Sequence, residues 1–308
     1  MLCSGQAGQH RDMLKELLSA PECAAINQAA SSALRQDVGS WWKELNEEDL
    51  FRNSNAQFAI AYFQMATWSR IFNILPKPSL VAGYSLGELI ACFISGALDA
   101  AGTFRLVQAR AKLMDEAIDL SGDCMVLWRG RVSPAMLDRR ARMISELGLC
   151  IAIVRKEGEM VLAGKPDEIA TFFDEFKPMN PSMVRLPVRI PSHTPHLAHA
   201  AESFRDLLNA SPISSPEIPL IGSVHGTPIR TRADVIEALA TQLSNTIRWD
   251  RCMDLSAESG VDTAIEIGPG NDLARLMQTV HPEVKSHSVE DFKNLQSLAD
   301  WLRRGMNS

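Results

Sequence analysis

Residues 56–74 read AQFAIAYFQMATWSRIFNI, with apolar side chains at helical spacing and no breaker. That pattern predicts a buried amphipathic helix, stopped by Pro76 and Pro78. The next run, SLVAGYS at 79–85, is short and apolar and predicts a central strand, and LGELIACFISGAL at 86–98 returns to helical spacing. Residues 103–119 predict another helix. From Gly122 the texture changes. CMVLWRG (124–130) predicts a strand, PAMLDRRARMISELG (134–148) a helix, and CIAIVRKEGEMVLAG (150–164) two strands around a turn near Glu157–Gly158. KPDEIATFFDEF (165–176) predicts a helix and MVRLPVRI (183–190) a strand. Beyond them IPLIGSV and TAIEIG predict strands, while DVIEALATQLSN and FKNLQSLADWLRRGM predict helices.

Strand-helix-strand-strand-helix-strand is the split βαβ order of a ferredoxin-like module. Segments of one larger α/β unit flank it on both sides. The expected fold class is α/β, with residues 1–123 and 191–308 as a large domain and 124–190 as an inserted α+β subdomain. A length of 308 residues suits one large domain carrying a smaller one. With 46% apolar and 22% charged residues the composition is that of an ordinary globular protein, which excludes a disordered or fibrous chain. A net charge of −6 gives no electrostatic case for nucleic acid. No apolar run approaches the roughly 18 residues of a membrane span, and MLCSGQAGQHRDML lacks the marks of a signal peptide. Six cysteines lie far apart, without CxxC or metal-ligand spacing, as expected of buried thiols in a reducing, cytoplasmic setting.

Gly83-Tyr84-Ser85-Leu86-Gly87 is a G-x-S-x-G pentapeptide that follows an apolar strand and opens an apolar helix. A nucleophile elbow, as in α/β-hydrolase-like domains, needs that context: the sharp turn strains the serine, and glycines let the backbone pack around it. The amide of Leu86 is then a natural oxyanion donor. The bland alternative makes Ser85 a helix N-cap with Glu88 completing a capping box. A serine nucleophile needs a base, and three of the seven histidines cluster at His193, His196 and His199. Pro195 breaks any helix between the first two and no acidic ligand is patterned nearby, so no metal site is expected. His193, at the end of a strand, is the expected base, with His196 and His199 as bystanders. A serine and a histidine leave esterase, protease and acyltransferase open.

Six motifs narrow that choice. Gly83–Glu88 followed by Gly96-Ala97-Leu98-Asp99 resembles the GHSLGE…GAL signature of the malonyl-CoA:acyl carrier protein transacylases. Ser4-Gly5-Gln6-Ala7-Gly8-Gln9 is similar to that family's PGQGxQ loop, and Arg110-Ala111-Lys112-Leu113-Met114 to its RGxxM element. Pro191-Ser192-His193 resembles its PSH segment, Gln242-Leu243 with Trp249 its QLxxPVxW, and Glu266–Gly270 its ExGPG. The motifs run in order over nearly the whole chain. The resemblance implies a malonyl group moved from malonyl-CoA to an acyl carrier protein, with Ser85 as nucleophile and His193 as base. Gln242 would help orient that histidine, and the family has no carboxylate in this place. Gln6 and Leu86 would supply oxyanion amides, Arg110 would clamp the malonyl carboxylate, and no cofactor or metal is implied.

The chain also departs from the family. Tyr84 stands where a histidine is usual and is expected to pack near the acyl pocket; Ala7 replaces a glycine; Thr246-Ile247-Arg248 replaces Pro-Val-x. Tyr84, the opening residues and the C-terminal segment most resemble the epsilon subunit of malonate decarboxylase, so either a monomer or a subunit of such a complex is expected. A serine thioesterase or esterase on the same scaffold is the alternative; Arg110 and a thiol acceptor would discriminate against it. An acidic carrier needs a basic landing surface, and Arg139, Arg140, Arg142, Arg155 and Lys156 in the insertion are its candidates, unless they are an ordinary solvated face.

Overall fold

The computed structural model describes residues 1–6, 8–117, 122–131, 133–188 and 190–306. Among them the strands are β1 (Leu2–Cys3), β2 (Val81–Gly83), β3 (Cys124–Arg129), β4 (Cys150–Lys156), β5 (Glu159–Gly164), β6 (Ser182–Arg185), β7 (Leu220–Gly222), β8 (Thr227–Ile229), β9 (Ile247–Arg248), β10 (Thr263–Glu266) and β11 (Lys285–Ser288). They form two sheets. The larger has the order β11-β10-β1-β2-β7-β8 and is parallel except for the β7–β8 edge. From β1 the chain goes to β2 on one side and returns later to β10 on the other. Open parallel sheets bind ligands at such a switch, outside the carboxyl ends of the strands. Those ends here lead into Ser4–Gln6, Tyr84–Ser85 and Ile267–Gly270.

The second sheet has the order β6-β3-β5-β4-β9. Its first four strands pair antiparallel, whereas β9 runs parallel to β4, with Ile153 opposite Ile247. The helices Pro134–Glu146 and Pro166–Phe176 contribute Met143, Ile169, Phe172 and Phe176 to an apolar cluster with Trp128 and Leu162. A different cluster joins Met125, Leu127, Ile153 and Val161 of this sheet to Trp249 and Met253. Through it the second sheet packs on the rest of the molecule.

Four expected elements come out differently. The helix expected over 56–74 spans Asn53–Ile71, and every residue from Ala56 to Thr67 is buried, so it is enclosed on all sides and not amphipathic. The helix after the elbow stops at Ile94, because Gly96 adopts φ +79° and the amides of Ala97 and Leu98 turn back onto the Cys92 carbonyl. The strand expected over 183–190 ends at Arg185; Pro187 has no amide to give the ladder, and Arg189 lies outside the described residues. The helix expected over 103–119 spans Ala100–Glu116, and positions 118–119 lie outside the described residues. Among the described residues no helix is long and apolar enough to cross a membrane.

Candidate active site

Ser85 has φ +56°, a conformation that costs a non-glycine residue about 1–3 kcal/mol and persists only where its surroundings impose it. The surroundings are explicit. A Cβ at Gly83 would lie 2.3 Å from the Glu88 backbone, and one at Gly87 would lie 2.1 Å from the Cys3 carbonyl oxygen. Both glycines are therefore required by contact. The Tyr84 amide donates to the Cys3 carbonyl at 2.9 Å, tying the elbow to β1. Ser85 is not a capping residue: its Oγ lies 2.8 Å from His193 Nε2, and the Glu88 carboxylate turns away to Ser223 and Gln242.

His193 is 2% exposed, and its Nδ1 sits 2.5 Å from the Gln242 carbonyl oxygen. A carbonyl only accepts, so Nδ1 carries the proton and Nε2 is left to accept from the serine hydroxyl. Its backbone also has positive φ, +63°, and its N–H donates a hydrogen bond to the Leu243 carbonyl at 2.8 Å. Burial, and then the charge of Arg110, push the imidazole down to about 3, against the pull of the Gln242 carbonyl. At neutral pH it is an uncharged base. His196 instead faces Asp123 at 3.7 Å and His199 is exposed. Among the described residues no group of side chains has metal-binding geometry.

Arg110 is 1% exposed and points at the nucleophile. Its Nη2 donates to Ser85 Oγ at 3.3 Å and to Gln242 Oε1 at 3.1 Å, and its Nη1 to Gln57 Oε1 at 2.7 Å. Each of these acceptors is neutral. Burial lowers its pKa to about 10, with Glu88 opposing, so it remains charged at neutral pH. A buried cation whose bonds run to neutral oxygens is a ready receptor for a carboxylate. Gln242 touches every part of the site: its backbone orients His193, its Oε1 accepts from Arg110, and its Nε2 donates to the Ser85 carbonyl at 3.0 Å and to Glu88. Burial raises the Glu88 pKa, opposed by its bonds from Ser223 and Gln242 and by Arg110.

The loop bearing Gln6 lies against the elbow: a Cβ at Gly5 would come within 3.0 Å of the Tyr84 carbonyl and 3.6 Å of Ser85 Cβ. Leu86 caps the following helix, Gly87–Ile94, with its amide one residue beyond the nucleophile. A cleft of about 1220 Å³, lined by Gln6, Arg52, Asn53, Asp115, Arg185 and Pro191, opens beside these groups.

The acyl transferase domain matches residues 1–306 of the chain. The chain belongs to the acyl transferase domain family. Within this family, the malonyl CoA-acyl carrier protein transacylase of Bacillus subtilis is 28% identical over 308 residues, covering 98% of this chain and 96% of that protein. The solved structure of the Clostridium perfringens malonyl CoA-acyl carrier protein transacylase has a TM-score of 0.89 and 28% identity over 99% of this chain and 97% of its own. A malonyl-transacylase solved in complex with a holo type II PKS acyl-carrier protein also reaches 0.89, at 26% identity, covering 97% and 98%. The α/β fold is the one these transacylases have.

Against this acyl transferase background the departures can be placed. Tyr84 packs edge-on to Trp249, ring centroids 5.3 Å apart, and burial pushes its phenol up to about 12. Ile247–Arg248 is strand β9; Thr246 Oγ1 donates to the Ile151 carbonyl of β4 at 2.6 Å and the Arg248 amide to the Ser223 carbonyl just after β7 at 2.8 Å, so this segment links the two sheets. Ala7 lies outside the described residues. The expected basic surface is thinner than its sequence suggests. Arg155 is 6% exposed and paired with Glu159 at 3.2 Å and Asp272 at 2.7 Å, so it faces no carrier. Arg139 pairs with Glu175 at 3.0 Å and Arg140 lies over the Trp128 ring. Sequence reasoning missed Gln57 and Asn53. A glutamine inside an apolar helical run was the available signal for Gln57, since an amide there is buried, as the 0% exposure shows, and must find partners.

Proposed function

We propose that the protein moves a malonyl group from malonyl-CoA to the phosphopantetheine-type thiol of an acyl carrier protein, through a malonyl ester on Ser85. The observation that carries the reading is Arg110, a buried cation 3.3 Å from the nucleophilic oxygen and hydrogen-bonded to the neutral side chains of Ser85, Gln57 and Gln242. In the first half-reaction Ser85 Oγ attacks the thioester carbonyl carbon while His193 Nε2 takes the hydroxyl proton. The oxyanion draws on the amides of Gln6 and Leu86. As the carbon–sulfur bond breaks, His193 returns the proton to the departing coenzyme A sulfur. The second half runs in reverse, with the carrier thiol as attacking group. Arg110 pairs with the malonyl carboxylate throughout, Tyr84 borders the acyl pocket, and no cofactor enters any step. An acyl carrier of the dedicated kind charged by a malonate decarboxylase epsilon subunit is the acceptor we favour.

The same proposal reads residues 1–123 and 191–308 as an α/β-hydrolase-like domain and 124–190 as a ferredoxin-like insertion. Support comes from the elbow after β2 and from the β6-β3-β5-β4 order with two helices on one face. A thioesterase would use the same dyad with water as acceptor. The direct test is intact mass after mixing the protein with malonyl-CoA, acetyl-CoA or methylmalonyl-CoA. The malonyl increment is expected on the native protein and absent from Ser85→Ala, while acquisition by the alanine variant would refute the nucleophile.

A further inference from the structure

Asn53 opens its helix and uses every hydrogen-bonding position of its side chain. Its Oδ1 accepts from Gln57 Nε2 at 2.7 Å and from Gln6 Nε2 at 3.2 Å. Its Nδ2 donates to the Asp115 carboxylate at 3.0 Å and to the Ala111 carbonyl at 3.2 Å. With two acceptors on one side and two amide nitrogens on the other, the Asn53 amide has one workable orientation. Gln57 is fixed in turn. Its NH2 faces Asn53, so its carbonyl faces Arg110 Nη1. Reversed, Gln57 would set N–H against N–H in a buried site, leaving donors unpaired.

We infer that Asp115 and Asn53 are positioning residues of the carboxylate site: Asp115 orients the Asn53 amide, which makes Gln57 an acceptor and so holds Arg110. Held by Nη1, the guanidinium keeps its Nη2 edge toward Ser85, where an acyl carboxylate arrives. Gln6 hangs from the same Asn53 oxygen, so the oxyanion loop and the arginine share one anchor. Asp115 is half-buried in the wall of the cleft, and burial raises its pKa while the Asn53 N–H opposes this. The inference rests on the malonyl reading proposed above.

Two variants separate orientation from charge. Asp115→Leu removes the acceptor; Asp115→Asn keeps an oxygen acceptor without the charge. For each, two rates at Ser85 are followed by intact mass: malonylation by malonyl-CoA, and labelling by a small neutral fluorophosphonate. The second reaction forms the Oγ–P bond and expels fluoride, so it needs the dyad and the oxyanion amides but no carboxylate site. The expected result for Asp115→Leu is a roughly tenfold rise in KM for malonyl-CoA, the scale of one lost hydrogen bond, with little change in labelling. Asp115→Asn is expected to recover most of that loss. Asn53→Ala, which removes the branch point and also releases Gln6, is expected to slow both reactions but malonylation the more, and serves if Asp115→Leu does not fold. Equal loss in both rates, no loss in either, or an Asp115→Asn variant as impaired as Asp115→Leu overturns the inference. A native protein that is labelled but takes no malonyl group overturns the underlying malonyl reading instead.

Discussion

Replacing His193 by alanine is expected to slow malonylation of Ser85 by about 10²–10⁴-fold, the usual worth of a positioned general base. The loss should appear in kcat, measured as the rate of acyl-enzyme formation at saturating malonyl-CoA, with circular dichroism unchanged. The native enzyme's pH profile follows from the same residue. Because the folded imidazole titrates near 3 and not at its ordinary 6.5, the base stays neutral well below pH 6. The rate should therefore show no fall between pH 7 and 6. Stability, unlike the rate, does depend on pH in this range. Between 6.5 and about 3 the unfolded chain binds a proton that folded His193 refuses, so stability drains away as the pH falls through that window. An acid limb of activity near 6.5 would show the histidine to be solvated.

Arg110→Ala is expected to cost about 2–5 kcal/mol with malonyl-CoA, or roughly 30- to 5000-fold in kcat/KM, and far less with acetyl-CoA. Only malonyl presents a carboxylate to the guanidinium. The deletion also strands Gln57 Oε1 and Gln242 Oε1 and leaves Glu88 without a buried counter-charge, so a lower melting temperature is expected alongside. The selectivity ratio separates the two effects, since instability lowers both substrates equally. An unchanged malonyl-to-acetyl ratio would make Arg110 purely structural.

The parts of this site that were legible in the sequence are those fixed by local geometry. Gly83 and Gly87 flank Ser85 because a Cβ at either would strike backbone, and that requirement leaves a pentapeptide that can be read directly. Arg110 was reached only through resemblance, because nothing local tells a buried arginine from a solvated one, whereas His193 was singled out by its place after an apolar run and the resemblance added its role. Arg155 shows the same limit from the other side: its charge pattern promised a surface, and its partners Glu159 and Asp272 bury it. Strands β9 and β11 escaped notice for a different reason. Ile247–Arg248 is two residues long and Lys285–Ser288 reads KSHS, so neither has an apolar run, and only pairing with β4 and β10 makes them strands. The Asn53–Gln57–Arg110 chain is tertiary throughout, and its members acquire meaning only when the helices Asn53–Ile71 and Ala100–Glu116 are laid side by side.

The central claim is that the acyl group on Ser85 is handed to a carrier thiol. The most direct measurement is a chase. The protein is loaded with malonyl-CoA, freed of small molecules, and split between a carrier bearing the phosphopantetheine arm, the same carrier without it, and buffer alone, with intact masses of both proteins followed in time. The malonyl increment is expected to leave the enzyme and appear on the armed carrier, and to persist on the enzyme in the other two mixtures. Loss at the same rate in all three, with no gain on the carrier, would mean that water is the acceptor and that the protein is a hydrolase.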